Sequence, residues 1–367
     1  MSKAAELAAL IGSQMAQSNR NIVINGAMNV AQRSTSETGL GASSGYHTID
    51  RFRIVSSNTA GRFTMSQASV TDLPEFANAM KLDCTTADTS IAAAEIAMIQ
   101  TKFEGQNLQR LQKGTSGARS VTVSFYMKTN KAFTFVCELD DNDNVRSNSQ
   151  QFTTSTSWTR HSITFVGDTT GTLDDDNARS AQLNIHIHAG FNFTSGTYSA
   201  NTWQSRASTD VHRAVGIGSF FDSTDNEIQL TGLQMEIGEV ATPFEHRSFA
   251  DDLAACQRYY TQINHTGTFT NYGYGIANSA TSAEIGISFP VQMRAEPSLT
   301  TSTVGDFRVW DASGGYNPSA IAVGNFSTLT TGSVTATVSS GLTAGRACKL
   351  QDNGDKADNF IAFDAEL

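Results

Sequence analysis

From Asn21 onward the chain alternates apolar and polar residues in short runs separated by Gly, Asn, Asp and Ser clusters. In "RSVTVSFYMKT", Val121, Val123, Phe125 and Met127 point one way and Thr122, Ser124, Tyr126 and Lys128 the other, the two-residue period of a half-buried antiparallel strand. "KAFTFVCELDDNDNVRS" continues as a hairpin with Phe133, Phe135, Cys137 and Leu139 on a shared face and a polar turn beginning at Asp140. "NIVINGAMNVAQ", "YHTIDRFRIV", "WTRHSITFVG", "AQLNIHIHAGF" and "NEIQLTGLQMEIG" add further strand candidates. About a dozen short strands before residue 240 call for two packed sheets, because one open sheet of that size curls or splits. The expected fold is all-β, a jelly-roll β-sandwich.

The period changes once. After "ATPFEHRS" (241–248), "FADDLAACQRYY" does not alternate. Pro243 is expected to end the last strand. Ser248 caps a helix with Asp251 at its third position, and Asp251 and Asp252 sit where the helix dipole favours negative charge. Phe249, Leu253, Cys256 and Tyr260 would form its apolar stripe. Beyond this connector helix (248–262), "FTNYGYGIA", "AEIGISFPVQM", "SLTTSTV", "FRVWDAS", "SVTATVSS" and "FIAFDAEL" resume strand patterning, giving a smaller C-terminal β domain over 263–367. The sandwich itself is placed at 21–247. At the start of the chain, Ala4, Leu7, Ala8, Ile11 and Met15 have helical spacing, so residues 1–20 are expected to form an amphipathic attachment segment.

Composition supports this reading. Charged residues make up 16% of the 367 residues, and 29 Gly accompany 5 Pro, as suits strands joined by tight turns. The formal net charge of −10 argues against nucleic acid or anionic lipid as a partner. Cys84, Cys137, Cys256 and Cys348 lie far apart without a CxxC pair, the usage of core residues in a reducing compartment. Lys3 and Glu6 interrupt what would have to be a signal peptide, and no run approaches the ~20 apolar residues of a membrane span. The expectation is synthesis in a cytoplasm without a signal peptide, with no membrane insertion.

Candidate chemistry is sparse. The turn "DDNDN" (Asp140 to Asn144) resembles the start of a calcium loop, but Val145 replaces the required Gly and Gln151 the bidentate Glu, so a solvated hairpin turn is expected; Asp174, Asp175 and Asp176 are taken as another loop cluster. His186 and His188, two apart on a strand, would share a face, but no third ligand is evident, and exposed or hydrogen-bonded sheet histidines are expected rather than a metal site. No GxSxG, HExxH, GxxxxGK[ST] or GxGxxG sits in a supporting context. No catalytic residue and no cofactor is assigned, although a carboxylate pair for glycoside cleavage could lie among the 35 acids. The aromatics carry more weight. Trp203, Tyr272, Tyr274, Trp310 and Tyr316 lie beside small residues and turns, where a ring offers a flat apolar face with a polar tip to a sugar. They are the candidate carbohydrate-binding residues; the competing reading is that each ring plugs an end of a sandwich.

Several segments resemble virion structural proteins of marine bacteriophages, the tail fibre or tail-associated proteins whose folded part is similar to carbohydrate-binding jelly rolls. They are "RNIVINGAMNVAQRSTS" (20–36), "GYHTIDRF" (45–52), "FEGQNLQRLQKGTSGARSVTVSFYMKTN" (103–130), "ITFVGDTTGT" (163–172) and "IQLTGLQMEIGEVATPFEHRSFADDLAACQRYY" (228–260). The last is the most specific: in such proteins a Pro-Phe-Glu-His-Arg block leads to a Cys-Gln-Arg-Tyr-Tyr helix and a variable tip, and here those blocks are Pro243 to Arg247 and Cys256 to Tyr260. The chain departs at Tyr126 to Lys128, where a Trp is common after the Phe, and in "QRSTS", where a Gly is usual before the Thr. The C-terminal part matches in style only, through "FPVQMRAEPSL" and "DAEL". The resemblance implies a homotrimeric protein on the virion exterior, joined to other tail or capsid proteins through its N-terminal segment and contacting host surface glycan. A decoration or adaptor protein that binds only other virion proteins is the alternative, and a polysaccharide depolymerase a lesser one.

Overall fold

The computed structural model describes residues 19–324, 327–354 and 358–367; the expected N-terminal helix lies outside them. The chain divides into two compact units, Met1–Asp252 with Leu367, and Leu253–Glu366. Both are antiparallel β-sandwiches.

In the first unit a six-stranded sheet runs, in spatial order, Ser36–Leu40, Arg62–Ser69, Asn78–Thr86, Glu227–Ile237, Val121–Thr129 and Thr159–Phe165. The facing seven-stranded sheet runs Gln204–Ser205, Arg146–Thr153, Thr134–Asp141, Arg179–Ala189, Ile96–Glu104, Arg53–Ser57 and Gly45–Tyr46. Phe63, Phe125, Leu230 and Met235 from one sheet meet Phe135, Ile99, Leu183 and Ile185 from the other in one buried core. This is the expected jelly roll.

Local departures have identifiable causes. Val121, Val123, Phe125 and Met127 face the core, yet Thr122 and Ser124 on the outer face are buried too. The segment after Ile237 folds back over them: Thr122 Oγ1 donates to Gly238 O at 2.8 Å, and Arg160, which donates to Ser124 Oγ at 3.2 Å, also bonds Thr242 O. The strand ends at Ile237, well before Pro243, and Phe244 packs edge-to-face with Phe76, ring centres 5.1 Å apart. "NIVINGAMNVAQ" is irregular rather than strand, because Asn25 and Met28 have φ of 59° and 58°. Asn25 instead ties the loop together, its amide donating to Val30 O at 2.9 Å and Asp50 O at 3.0 Å.

The connector helix covers Phe249–Gln257. Its cap is as expected, with Asp251 N donating to Ser248 Oγ at 3.1 Å and Ser248 Oγ to Asp251 Oδ2 at 2.6 Å. The stripe is not. Phe249 is 59% exposed, and Tyr260 already belongs to the next strand.

In the second unit a seven-stranded sheet runs Gly314–Tyr316, Phe307–Asp311, Ala347–Asp352, Asn271–Ala277, Ser282–Ser288, Thr331–Val338 and Pro318–Val323. A three-stranded sheet of Tyr260–Asn264, Phe360–Asp364 and Ser298–Thr301 packs against it. All six strand segments expected after the helix are present. Val309, Leu350, Ile285 and Val334 from the large sheet pack with Ile361 and Phe363 from the small one; among the described residues of this unit no second sheet covers the opposite face, which is open.

Candidate functional site

Strand register on that open face decides which of the aromatic candidates meet. Trp310 pairs with Lys349, and Lys349 in turn with Tyr274, so the two rings stand in one cross-strand row on either side of the lysine, about 10 Å apart at the usual strand spacing. The row ends in glycines: Trp310 also pairs with Gly315, and Tyr274 with Gly286. No side chain shields Tyr274 at Gly286, and its ring is 70% exposed. At Gly315 a Cβ would come within 3.1 Å of both Arg308 Cδ and Trp310 Cε3, so a larger residue there would push those side chains by a few tenths of an ångström. Tyr274, Trp310 and Lys349 line a shallow, open hollow.

Further residues extend the row. Arg308, two before Trp310 and so on the same face, places its Cζ 4.7 Å from the Trp310 ring centre and 4.1 Å from that of Phe269, a cation held between two rings. Phe269 is 43% exposed and Ile276, two after Tyr274, 45%. Phe269 also has φ of 61°, a left-handed conformation that a bulky residue adopts at a cost. The sequence reading missed Phe269, Ile276, Arg308 and Lys349. Extending the two-residue alternation outward from Trp310 and Tyr274 would have found Arg308 and Ile276; Lys349 and Phe269 come from distant strands or turns and left no local signal.

Three of the five expected residues stand elsewhere. Tyr272 is only 5% exposed, because a bulge between Asn271 and Gly273 inserts it as an extra residue and turns it into the core. There its hydroxyl donates to Asp352 Oδ1 at 2.7 Å, and its ring lies 5.3 Å from Phe307. Burial and the adjacent Asp352 carboxylate push its phenol far up. Tyr316 pairs with Val309 on the core-facing side, partly buried against the core. Trp203 belongs to the first unit, packs on that core, and donates from Nε1 to Val166 O at 2.8 Å.

The polar residues around Glu138 and Asp140 in the first unit form a buried hydrogen-bonded network, in which His186 Nδ1 and Arg206 Nε have no hydrogen-bond partner. Asp140 and Asp141 are not solvated turn residues but fully buried strand ends, whereas Asp174, Asp175 and Asp176 are exposed as expected. Glu138 takes two bonds of 2.7 Å from Arg213 and one of 2.8 Å from Asn184, and lies 2.8 Å from His186 Nε2. Asp140 accepts from Arg213 at 3.2 Å and Gln182 at 2.7 Å, and from Arg206. Burial works to raise the Glu138 pKa, but the Arg213 and His186 charges and their hydrogen bonds outweigh it and hold the carboxyl well below its ordinary range. Asp140 is raised, by burial and by the Glu138 charge beside it.

The two strand histidines do not converge. A register shift separates them, and His188 lies 3.0 Å from Glu95 Oε2 and 2.8 Å from Ser219 Oγ. With Asp88 and Glu95 it forms a buried three-residue cluster whose ligand atoms lie within 4.8 Å of one another. Asp88 there already accepts from Thr59 Oγ1 and Ala60 N, both at 2.7 Å, and Glu95 from Ala92 N at 2.8 Å. The four cysteines are free and buried, with burial lifting the Cys348 thiol to about 11.

No protein-family model and no curated protein matches the sequence. Among solved structures, the enzymatically active domain of bacteriophage CBA120 tailspike protein 4 aligns over 60% of this chain and 22% of that one, at 9% identity and a TM-score of 0.31. The chain thus spans under a quarter of the tailspike domain's length. A family 11 carbohydrate-binding module from Clostridium thermocellum, in complex with a β-1,3-1,4-mixed-linked tetrasaccharide, aligns over 56% of this chain and 98% of that one, at 12% identity and a TM-score of 0.28. The CBM22-1 and GH10 modules of the same organism's xylanase 10B, complexed with xylohexaose, align over 61% and 29%, at 12% identity and a TM-score of 0.27.

Proposed function

We propose that this chain is a bacteriophage virion protein of the tail fibre or receptor-binding kind, and that the open face of its C-terminal unit contacts host surface glycan through Tyr274 and Trp310. The observation that carries the reading is the row Trp310, Lys349, Tyr274 on a sheet face with no covering layer among the described residues of that unit. Sugar rings present an apolar face and an equatorial rim of hydroxyls, and two exposed aromatic rings about two strand spacings apart offer successive stacking positions with a hydrogen-bonding ammonium between them. The strained, exposed Phe269 supports the same face, since such conformations cluster where a surface does work. The virion assignment rests on the Pro243 to Arg247 and Cys256 to Tyr260 blocks, and the trimer that the resemblance implies would present three such rows to one surface.

The direct check is retention of the purified chain on host cells. Tyr274→Ala should lower it about tenfold, a truncation effect of the size seen at anchor residues of an interface, with an unchanged circular dichroism spectrum. Retention at the wild-type level would remove this face from the contact and favour the decoration reading.

Phe269→Gly separates strain from contact. Glycine accepts φ of 61° without penalty, so the variant should be as stable as the wild type or more stable by about 1 kcal/mol, while cell retention falls. A loss of stability with retention intact would show that the ring serves packing alone.

A further inference from the structure

Resting on that reading of the aromatic face, we infer that the glycan taken there is acidic, a polymer of uronic or other carboxylated sugars, with Lys349 and Arg308 as its anion contacts. The whole chain carries a net charge of −10, so bulk charge would repel such a polymer, but the face itself is arranged differently. Lys349 sits between Tyr274 and Trp310 in the row, and Arg308 lies against Trp310 on its other flank. Neither has a carboxylate partner among the described residues, and Arg308 Nε is left without any hydrogen-bond acceptor.

The other cations show what is ordinary here. Arg346 faces Asp311 at 3.6 Å, and Arg294 donates to Ala365 O at 2.8 Å and Glu366 O at 3.1 Å. The nearby carboxylates have other partners. Asp311, the acid lining the hollow, is buried; its Oδ1 accepts from Ser313 N at 2.7 Å, and its Oδ2, without a hydrogen bond, faces Arg346 at 3.6 Å. Glu284, which pairs with Ile276 at the far end, is held by Ser333 and by Thr335 at 3.3 Å.

Two cations without counter-charges, each against or between rings, therefore stand where a stacked sugar would place its substituents. A ring stacked on Tyr274 or on Trp310 has Lys349 one strand spacing away, about 4.8 Å, within reach of a carboxylate on that ring. Neutral sugars would leave both cations without partners. A nucleic acid would stack on the same rings, but its continuous phosphate charge needs several basic residues, and among the described residues the row places only these two beside its rings.

The experiment uses the full chain and three acidic polysaccharides, polygalacturonate, alginate and hyaluronan, each beside its carboxyl-reduced neutral counterpart, in affinity electrophoresis. At least one acidic member should be bound about tenfold more tightly than its reduced form, the size of one charge-assisted contact, and the preference should shrink as salt is raised. Lys349→Gln should bring the two affinities together by weakening only the acidic one, and Lys349→Arg should restore the difference. If no acidic polymer is bound above its reduced form, or if Lys349→Gln leaves the preference intact, the inference falls. Reduced polymers bound equally well, and lost in Tyr274→Ala, would overturn the acidic preference while leaving the glycan reading standing. Tighter binding of a single-stranded oligonucleotide than of every polysaccharide would overturn both.

Discussion

Arg213→Ala is expected to destabilise the first unit by about 3 to 5 kcal/mol, the cost of leaving a buried charge without its partner. Arg213 is buried, and its guanidinium bonds both oxygens of Glu138 at 2.7 Å while reaching Asp140 at 3.2 Å. Removing it leaves Glu138 among Asn184 and His186, and Asp140 with Arg206 and Gln182, on a sheet face that water does not reach. Replacing the whole pair, Glu138→Leu with Arg213→Met, should cost less than the single change, because no charge is then stranded.

The effect should depend on pH with a definite sign. Glu138 is depressed in the native state, so its contribution is fully present above the ordinary carboxylate range near 4.5 and is lost as pH falls through its native value. Asp140 is raised above 3.8, so its contribution is largest below that value and is lost as pH rises through its native one. The difference between wild type and Arg213→Ala should therefore be large at pH 7 and shrink on acidification. Urea denaturation read by Trp158 and Trp203 in a Trp310→Phe background reports on the first unit. An Arg213→Ala midpoint equal to wild type at pH 7 would show that the network contributes nothing to stability.

The double change Trp310→Ala with Tyr274→Ala should reduce whole-particle adsorption by far more than either substitution alone. Each ring is assigned about 1 to 2 kcal/mol per copy, and the two lie on either side of Lys349 on one surface, so a single chain should lose roughly a hundredfold in affinity. A particle carrying several copies amplifies this, because the effective concentration that follows the first contact multiplies a weak site. The fold should survive, since the rings are 39% and 70% exposed and the core behind them is built from Val309, Leu350 and Ile285. Adsorption at the wild-type rate with the fold confirmed would leave a decoration role as the better account. The matching change Tyr272→Ala should behave in the opposite way, destabilising the unit through its lost Phe307 and Asp352 contacts and affecting adsorption only through misfolding.

The sequence by itself determined the fold class, the start of the connector helix with its Ser248 to Asp251 cap, and six of the ten strands of the C-terminal unit, because alternation and capping are local signals written in adjacent residues. It also marked Tyr274 and Trp310. What it could not separate was Tyr272 from Tyr274: two residues apart on a strand they share a face, and only the bulge opposite Gln351 and Leu350 sends one inward and the other out. The same holds for His186 and His188, split by a register shift, and for Asp140, whose burial follows from Arg206 and Arg213 arriving from a loop more than sixty residues away. Lys349 meets the two rings only because its strand is inserted between theirs. Register, bulges and strand order are set by how whole sheets close over a core, a non-local balance of burial and hydrogen bonding, and so the tertiary structure alone decided which side chains form the candidate site.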